Sequence, residues 1–254
     1  MIYLLISAVS AFFGQSAGLG ATTLLRPVLD AVSPLSPPAI AAAATMATLC
    51  AALISAFFAL SKPISLPQEE LLLLAVGALL GGIFGDLAAS RFIARINAAT
   101  ASLLQNALLF VLIAIPACYF SMLSRTLQPY ALPRIWAFPF AMVCGLLASF
   151  LAFGAEPVML MLCYYLFDAD DDQAQTSALT VSLFAMSGKL ITLLIRERFV
   201  LPGASVLIWL LPGALGGSLL AAAAGGRRMT AANADALLKL SLFTSLLNMA
   251  AAWL

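Results

Sequence analysis

Long apolar stretches alternate with short polar turns along nearly the whole chain. Stretches such as 71–80 show no strict apolar–polar alternation, so the pattern favours helices over the strands of a membrane barrel. A helix needs about 20 apolar residues to cross a hydrocarbon core about 30 Å thick. On that criterion we predict eight membrane segments, at 2–32, 39–60, 71–91, 99–123, 136–167, 174–195, 204–224 and 234–253.

The first and fifth segments are too long for one straight crossing. Each has about 30 residues, which would extend about 45 Å as a helix. Both contain residues that weaken a helix, namely Gly14, Gly18, Gly20 and Pro27 in the first segment and Gly145, Gly154 and Pro157 in the fifth. We therefore predict that each is broken into half-helices or folds back as a re-entrant hairpin. Membranes tolerate such backbone only where protein or a water-filled cavity surrounds it.

Composition supports a membrane location. Of the 254 residues, 63% are hydrophobic and 9% are charged, against roughly 45–50% and about 25% in soluble domains. The mean hydropathy of +1.08 leaves too few polar side chains to cover a surface that faces water. The sequence predicts an all-α integral membrane protein, multi-pass in a cell membrane and specifically a bacterial inner membrane, with lipid as its surroundings and no nucleic acid as a partner.

Residue types also narrow the chemistry. The chain has no histidine, and its four cysteines stand singly in apolar stretches, where they are typical of small buried hydrophobic residues. No phosphate-binding GxxxxGK[ST] loop is present. We expect no metal, no cofactor and no catalytic residues, and we predict that the protein is not an enzyme.

Similar features recur in the same order in the two halves. The stretch from Gly14 to Pro27 has its counterpart in Gly145 to Pro157, and Thr45 in Thr176. The spacing from Pro67 to Gly81 equals that from Pro202 to Gly216, and Asn97 and Asn233 each precede the last helix of their half. We predict one membrane domain made of two four-helix repeats, 1–123 and 136–254, joined by a linker at 124–135.

Internal repeats with broken helices in corresponding positions are typical of secondary transporters. The ends of half-helices place free backbone groups inside the membrane, where they can hold an ion. Glycines can instead serve close helix packing. That interpretation suits the pairs Gly81/Gly85 and Gly213/Gly217, whose spacing produces a small-residue face.

The first repeat resembles a known family. The residues that carry the resemblance are the glycine-containing stretch 14–20, the segment 24–29 that contains Pro27, the Pro37–Pro38 turn and the alanine-rich helix start at 42–46. They are similar to the TauE/SafE sulfite exporter family, and the likeness extends over the four-plus-four helix pattern. Met46 stands where that family usually has serine. The resemblance implies export or exchange of a small sulfur-containing anion, such as sulfite, sulfoacetate or a related sulfonate.

Three ionisable residues within predicted segments carry the candidate chemistry. An ionisable group near the bilayer centre costs at least about 2.5–3.5 kcal/mol, and Lys189 lies too far from either helix end to reach water fully. It could bind an anionic substrate or form a structural ion pair, for example with Glu156. Arg26 could hold an oxyanion with two parallel hydrogen bonds, or lie at the membrane interface beside Asp30. Glu156 would then couple protons or neutralise one of the two cations. Arg26 and Glu156 each immediately precede the proline of their half, so the repeat predicts opposite charges at equivalent positions.

Smaller polar groups would supply the remaining hydrogen bonds. The candidates for substrate binding are Gln15, Ser16, Thr22, Thr23, Thr45, Ser149, Thr176 and Ser177, with backbone contributions at the helix breaks from Gly14, Gly18, Gly20 and Gly154. Each hydroxyl could instead bond back to its own helical turn. Asp86 and Lys239 are interpreted as groups close to helix ends. The acidic stretch 168–172 is interpreted as a helix cap.

The hypothesis that these features favour is a secondary transporter for a small anion, coupled to protons or to the membrane potential. The alternative is a passive anion channel or a membrane scaffold subunit. The small size of the chain also allows a homodimer.

Overall fold

The computed structural model describes residues 1–59, 66–123, 128–195, 203–224 and 231–251. In these ranges every regular element is helical, and ten α-helices are present. They are α1 (Ile2–Ser16), α2 (Thr22–Val32), α3 (Pro37–Ala59), α4 (Gln68–Arg95), α5 (Ala98–Cys118), α6 (Ala137–Leu151), α7 (Glu156–Leu166), α8 (Asp171–Ile195), α9 (Ala204–Ala223) and α10 (Ala231–Ala251). A π-helical turn, Tyr119–Leu123, extends α5, and a short 3₁₀ turn, Arg134–Trp136, leads into α6.

The all-α membrane fold is confirmed. Within the described ranges, six stretches are long and apolar enough to cross a membrane, at 37–59, 68–95, 103–122, 134–151, 171–195 and 205–223, and α1 and α7 are shorter apolar helices. Helix α10 has 21 residues, or about 31 Å. The predicted breaks are also present, because the first segment divides into α1 and α2 and the fifth into α6 and α7. The predicted segment ends at 60 and 253, and linker residues 124–127, lie outside the described residues.

The first segment is a hairpin rather than a kinked crossing. The Tyr3 hydroxyl, near the start of α1, lies 3.3 Å from Ser33 Oγ, just after the end of α2. At the other end, the amide of Leu19 donates to the Gly14 carbonyl at 2.9 Å. The chain therefore runs inward through α1, turns at 17–21 and returns through α2.

The second long segment forms an equivalent hairpin. Just before α6, the amide of Tyr130 donates to the Tyr165 carbonyl at 2.9 Å, and that of Leu132 donates to the Leu166 carbonyl at 2.7 Å. Tyr165 and Leu166 form the end of α7. The chain thus enters through α6, turns at 152–155 and leaves through α7 at the same end of the molecule. Counting both long segments as crossings overestimates the number of crossings, because a hairpin returns to the side from which it entered.

The two hairpins open at opposite ends of α10. Near the start of α10, Asp235 accepts a hydrogen bond from Ser121, which belongs to the same turn as Tyr119. The ring of Tyr119 packs against that of Tyr165 at the open end of the second hairpin. Toward the other end of α10, Asn248 donates to the Pro27 carbonyl in α2, which leads outward to the open end of the first hairpin. Each hairpin therefore enters from its own side.

Glycines allow each hairpin to pack closely on a long helix. A Cβ at Gly81 or Gly85 of α4 would collide with backbone carbonyls of α6, and a Cβ at Gly217 of α9 would collide with a carbonyl of α1. At Gly213 an added Cβ would collide with Ser7 of α1. The packing interpretation of these four glycines is confirmed. Helix α4 thus packs against α6, the first helix of the second hairpin. In the same way, α9 packs against α1, the first helix of the first hairpin.

Candidate functional site

The tips of the two hairpins meet inside the protein. Gly20, in the turn between α1 and α2, has a φ of +77°, which favours glycine. A Cβ at this position would collide with the carboxyl group of Glu156, the first residue of α7. Glu156 is 1% exposed. The turn of one hairpin therefore packs directly against the acidic residue that begins the outward arm of the other.

A proline in α2 is compensated by the last helix of the chain. Pro27 lacks an amide hydrogen, so the Thr23 carbonyl loses its usual helical donor. The Ser241 hydroxyl of α10 donates to that carbonyl at 2.5 Å, and the Asn248 amide donates to the Pro27 carbonyl at 2.8 Å. Helix α10 thus stabilises the irregular α2 through its polar side chains.

Arg26 is buried beside this proline. It is 5% exposed, and its Nε lies 2.8 Å from Asp30 Oδ2 one turn further along α2. Its Nη1 has no hydrogen-bond partner among the residues that the structure describes. The guanidinium is therefore neutralised on one edge and keeps a donor on another edge that can bind an anion.

Lys189 belongs to a polar cluster that joins three helices. Its Nζ donates to the Ser149 carbonyl near the tip of the second hairpin, and the Ser149 hydroxyl donates to the Gly82 carbonyl of α4 at 2.7 Å. Thr192 Oγ1 donates to Asp86 Oδ2 at 2.7 Å. We call the side chains of Asp86, Ser149, Lys189 and Thr192 the Lys189 cluster. All four are buried.

The Lys189 cluster is electrostatically connected to the first hairpin. The charges of Asp86 and Arg26 both act on the charge of Lys189. Two buried cations from opposite halves of the chain therefore repel each other. Repulsion between them is unfavourable in a medium of low polarity, and an anion that contacts both would relieve it.

Comparison with known proteins supplies the family. The family model described as "Sulfite exporter TauE/SafE" matches residues 3–252. The chain belongs to the TauE/SafE sulfite exporter family. No curated protein and no solved structure matches it. Family membership confirms the resemblance drawn from the sequence and makes this a multi-pass membrane protein of a family named for the export of sulfite. The family's transport activity agrees with the prediction that the protein is not an enzyme.

Some predicted site residues of this TauE/SafE protein lie together. Gln15 is 4% exposed, and its Oε1 accepts a hydrogen bond from Ser55 of α3 at 2.6 Å. Gly14 and Gly20 are neighbours, because a Cβ at Gly14 would collide with the Gly20 carbonyl. The buried members of the two tips that were predicted from sequence are Gly14, Gln15, Gly18, Gly20, Ser149, Gly154 and Glu156, and Ser16 is half-buried beside them.

Of the other predicted residues, Thr23 contacts the tip of the first hairpin, because Leu19 belongs to the turn at 17–21; Thr45, Thr176 and Ser177 have partners elsewhere. Thr23, Thr45 and Thr176 donate to carbonyls four residues earlier, at 2.6, 2.7 and 2.7 Å. Ser177 is 12 residues before Lys189, or about 18 Å along α8, and its hydroxyl bonds to the Cys163 thiol. The side chain of Thr22 lies outside the described part of the chain.

Two interpretations of charged residues are wrong. Aligning the halves on their prolines suggests that Arg26 and Glu156 occupy equivalent positions. Instead, Glu156 is the first residue of α7, whereas Arg26 is the fifth residue of α2, more than one turn into its helix. Asp86 is 6% exposed and belongs to the Lys189 cluster, not to a helix end.

The remaining polar interpretations agree with the structure. Lys239 pairs with Asp235 at 2.6 Å and its side chain is 61% exposed. In the acidic stretch, Asp170 Oδ1 accepts from the amide of Gln173 at 2.8 Å, which is an N-terminal cap for α8. Asn97 caps α5 in the same way. The prediction that Asn233 precedes the last helix is wrong, because α10 begins at Ala231. Sequence reasoning missed Ser55, Thr192, Ser241 and Asn248, although the carbonyl freed by Pro27 does signal the need for a donor.

Proposed function

We propose that this TauE/SafE protein is a secondary transporter that carries a small sulfur-containing anion, such as sulfite, sulfoacetate or a related sulfonate, between the tips of its two hairpins. The observation that carries the proposal is that two buried cations from different halves of the chain, Arg26 and Lys189, act on each other electrostatically. Two cationic groups that face a shared space can hold an anion between them with charge-assisted hydrogen bonds. A sulfur oxyanion provides the negative charge on several oxygen atoms.

The two cations suit different parts of such an anion. The guanidinium of Arg26 presents planar donors, one of which has no described partner, and this geometry matches two oxygens of one oxyanion. Lys189 supplies a compact charge with three donors, of which one is directed at the Ser149 carbonyl. An anion bound between them would contact both halves of the protein.

The fold supports alternating access. Hairpins that enter from opposite sides are expected of inverted repeats, and we propose that 1–123 and 136–254 are such repeats. The packing of α1 on α9 matches that of α6 on α4 under exchange of the halves. Small movements of either hairpin against its supporting helix would open the tips to one side at a time. Glu156, buried against Gly20, is the proposed proton carrier.

Uptake of sulfite into proteoliposomes tests the function. We expect saturable uptake and counterflow, with loss of both in Lys189→Met, while Lys239→Met removes an exposed lysine and leaves uptake unchanged. Short sulfonates tested in parallel identify the substrate. Uptake that rises linearly with concentration and shows no counterflow would identify a passive channel instead. Normal uptake by Lys189→Met would contradict the proposed site.

A separate experiment tests whether sulfite transport is coupled to protons. With an imposed proton gradient, we expect sulfite flux of the unmodified protein to follow the gradient and flux of Glu156→Gln to become independent of it. The same comparison under an imposed membrane potential separates proton coupling from simple charge movement. A gradient dependence that Glu156→Gln leaves intact would make Glu156 a structural residue.

A further inference from the structure

Asp86 is a buried carboxylate in the middle part of a long apolar helix, where an ionisable group is costly for a membrane protein. It lies 18 residues after the start of α4, or about 27 Å along the helix, and is 6% exposed. The single hydroxyl hydrogen of Thr192 is shared between Asp86 Oδ2 and the main-chain carbonyl of Lys189, each of which lies 2.7 Å from Thr192 Oγ1. Thr192 therefore fixes the carboxylate at the level of Lys189.

Close helix packing keeps Asp86 and Lys189 together. A Cβ at Gly82 of α4 would collide with the Ala185 carbonyl of α8, and one at Gly188 of α8 would come within 2.5 Å of the Leu79 carbonyl of α4. These contacts leave little freedom between the two helices. The carboxylate and the ammonium are thus held near each other by backbone contacts and not by their own attraction.

The pair is not a direct salt bridge. Among the described residues the ion pairs within 4.0 Å are Arg26–Asp30, Arg134–Glu70 and Lys239–Asp235. The ammonium of Lys189 donates to the Ser149 carbonyl while Asp86 accepts from Thr192. Each charged group thus has a neutral hydrogen-bond partner of its own. If the ammonium of Lys189 binds another anion, the carboxylate of Asp86 therefore keeps its hydrogen bond from Thr192.

We propose that Asp86 is an internal counter-ion that competes with the transported anion for Lys189. This inference rests on the proposed function. In the empty site Asp86 balances the charge of Lys189, much as Asp30 balances Arg26, so no uncompensated cation stays buried. When the anion binds, it takes over the neutralisation of Lys189. Asp86 thus limits affinity and allows release, which a carrier requires as much as binding.

Binding of sulfite to the purified protein in detergent tests the competition. Asp86→Asn keeps an oxygen that can accept from Thr192 but removes the charge. We expect its dissociation constant for sulfite to fall about tenfold, as for loss of one nearby competing charge, while its maximal transport rate also falls because release is slower. Asp235→Asn, which removes a carboxylate that bonds to Ser121 and Lys239, is the matched control and should bind like the unmodified protein. Unchanged or weaker binding by Asp86→Asn would overturn the proposal.

Thermal unfolding without any sulfur anion provides a second, substrate-independent test. If Asp86 and Lys189 neutralise each other, Asp86→Asn and Lys189→Met should each lower the unfolding temperature, and the double variant should recover most of the loss. Strictly additive losses would overturn the counter-ion role. If the unmodified protein binds neither sulfite nor a short sulfonate while the double variant recovers stability, the substrate proposal fails and the charge pair stands.

Discussion

The tip of the first hairpin is held to its neighbouring long helix by neutral groups, whereas the tip of the second is held by a charged one. In the first, Gln15 accepts from Ser55 of α3. In the second, Lys189 of α8 donates to the Ser149 carbonyl. Ser55 and Lys189 each lie 18 residues after the first residue of their helix. Corresponding positions of α3 and α8 therefore hold a hairpin tip with a neutral side chain in the first half and with a charged side chain in the second.

This difference indicates how a symmetric scaffold can hold an asymmetric set of charges. The turns and the glycine contacts recur in both halves, while the ionisable residues do not. Arg26 comes from the outward arm of the first hairpin, and Lys189 comes from a helix that supports the second. In the proposed mechanism, movement would follow the backbone plan that the halves share, while anion binding would depend on a single set of charges.

The largest loss of stability is expected when the contact between the tips of the two hairpins is disturbed. Gly20→Ala places a side chain at a left-handed φ and against the carboxyl group of Glu156. We expect a loss of about 3 kcal/mol in unfolding free energy, since left-handed strain costs roughly 1–2 kcal/mol and overpacking typically costs about 1–3 kcal/mol. Gly216→Ala is the control, because a Cβ there meets nothing within 4 Å. Equal losses in the two variants, measured by denaturation in mixed micelles, would show that the tips do not pack as described.

Two glycine substitutions test the close helix packing that the two halves share. Gly81→Ala forces α4 away from α6, and Gly213→Ala forces α9 away from α1. Overpacking costs typically about 1–3 kcal/mol, and we expect both losses to fall within that range and to resemble each other. The measurement is unfolding of each variant under identical conditions. A large loss in one half only would mean that the two supporting helices have different roles.

A smaller effect tests the link between α10 and the first hairpin. Ser241→Ala removes the donor to the Thr23 carbonyl and should cost about 1–3 kcal/mol, the usual result of leaving a buried acceptor unsatisfied. Pro27→Ala restores an amide that can donate to that carbonyl. In the Pro27→Ala background, Ser241→Ala should therefore cost much less. An undiminished cost in the double-mutant cycle would contradict the compensation.

The smallest expected effect lies outside both tips. Lys239→Gln removes a pair with Asp235 in which the lysine side chain is 61% exposed. Exposed pairs contribute roughly 0–1 kcal/mol, so both stability and sulfite transport should change little. A substantial loss of transport would extend the site to the beginning of α10, and the comparison between the tips would then be incomplete.

The helices of the fold and the positions of its two breaks were predictable from sequence. Segment lengths and the Gly and Pro positions locate the two breaks within a few residues. They do not tell a kinked crossing from a hairpin, because both interrupt the helix in the same way. The direction of return depends on contacts such as Tyr3 with Ser33, 30 residues apart, and on the partner helix, which local pattern does not encode.

The candidate site was less predictable than the fold. Burial of a charge in an apolar segment identified Lys189, Arg26 and Glu156. Asp86 was misread because α4 was predicted to end at 91, whereas it continues to Arg95, and this places the carboxylate deeper than its distance from a presumed end suggests. Its environment depends on α8 and Thr192, more than 100 residues away in the chain.

The compensation of Pro27 also constrains biogenesis. The donors that satisfy the first hairpin, Ser241 and Asn248, lie 218 and 221 residues downstream of the carbonyls that they reach. Unsatisfied backbone groups are costly in lipid. As the chain emerges from the ribosome, the first hairpin therefore has no access to its final hydrogen bonds until the last helix has been synthesised and inserted, and a chain that stops before α10 would leave its earliest part unfinished.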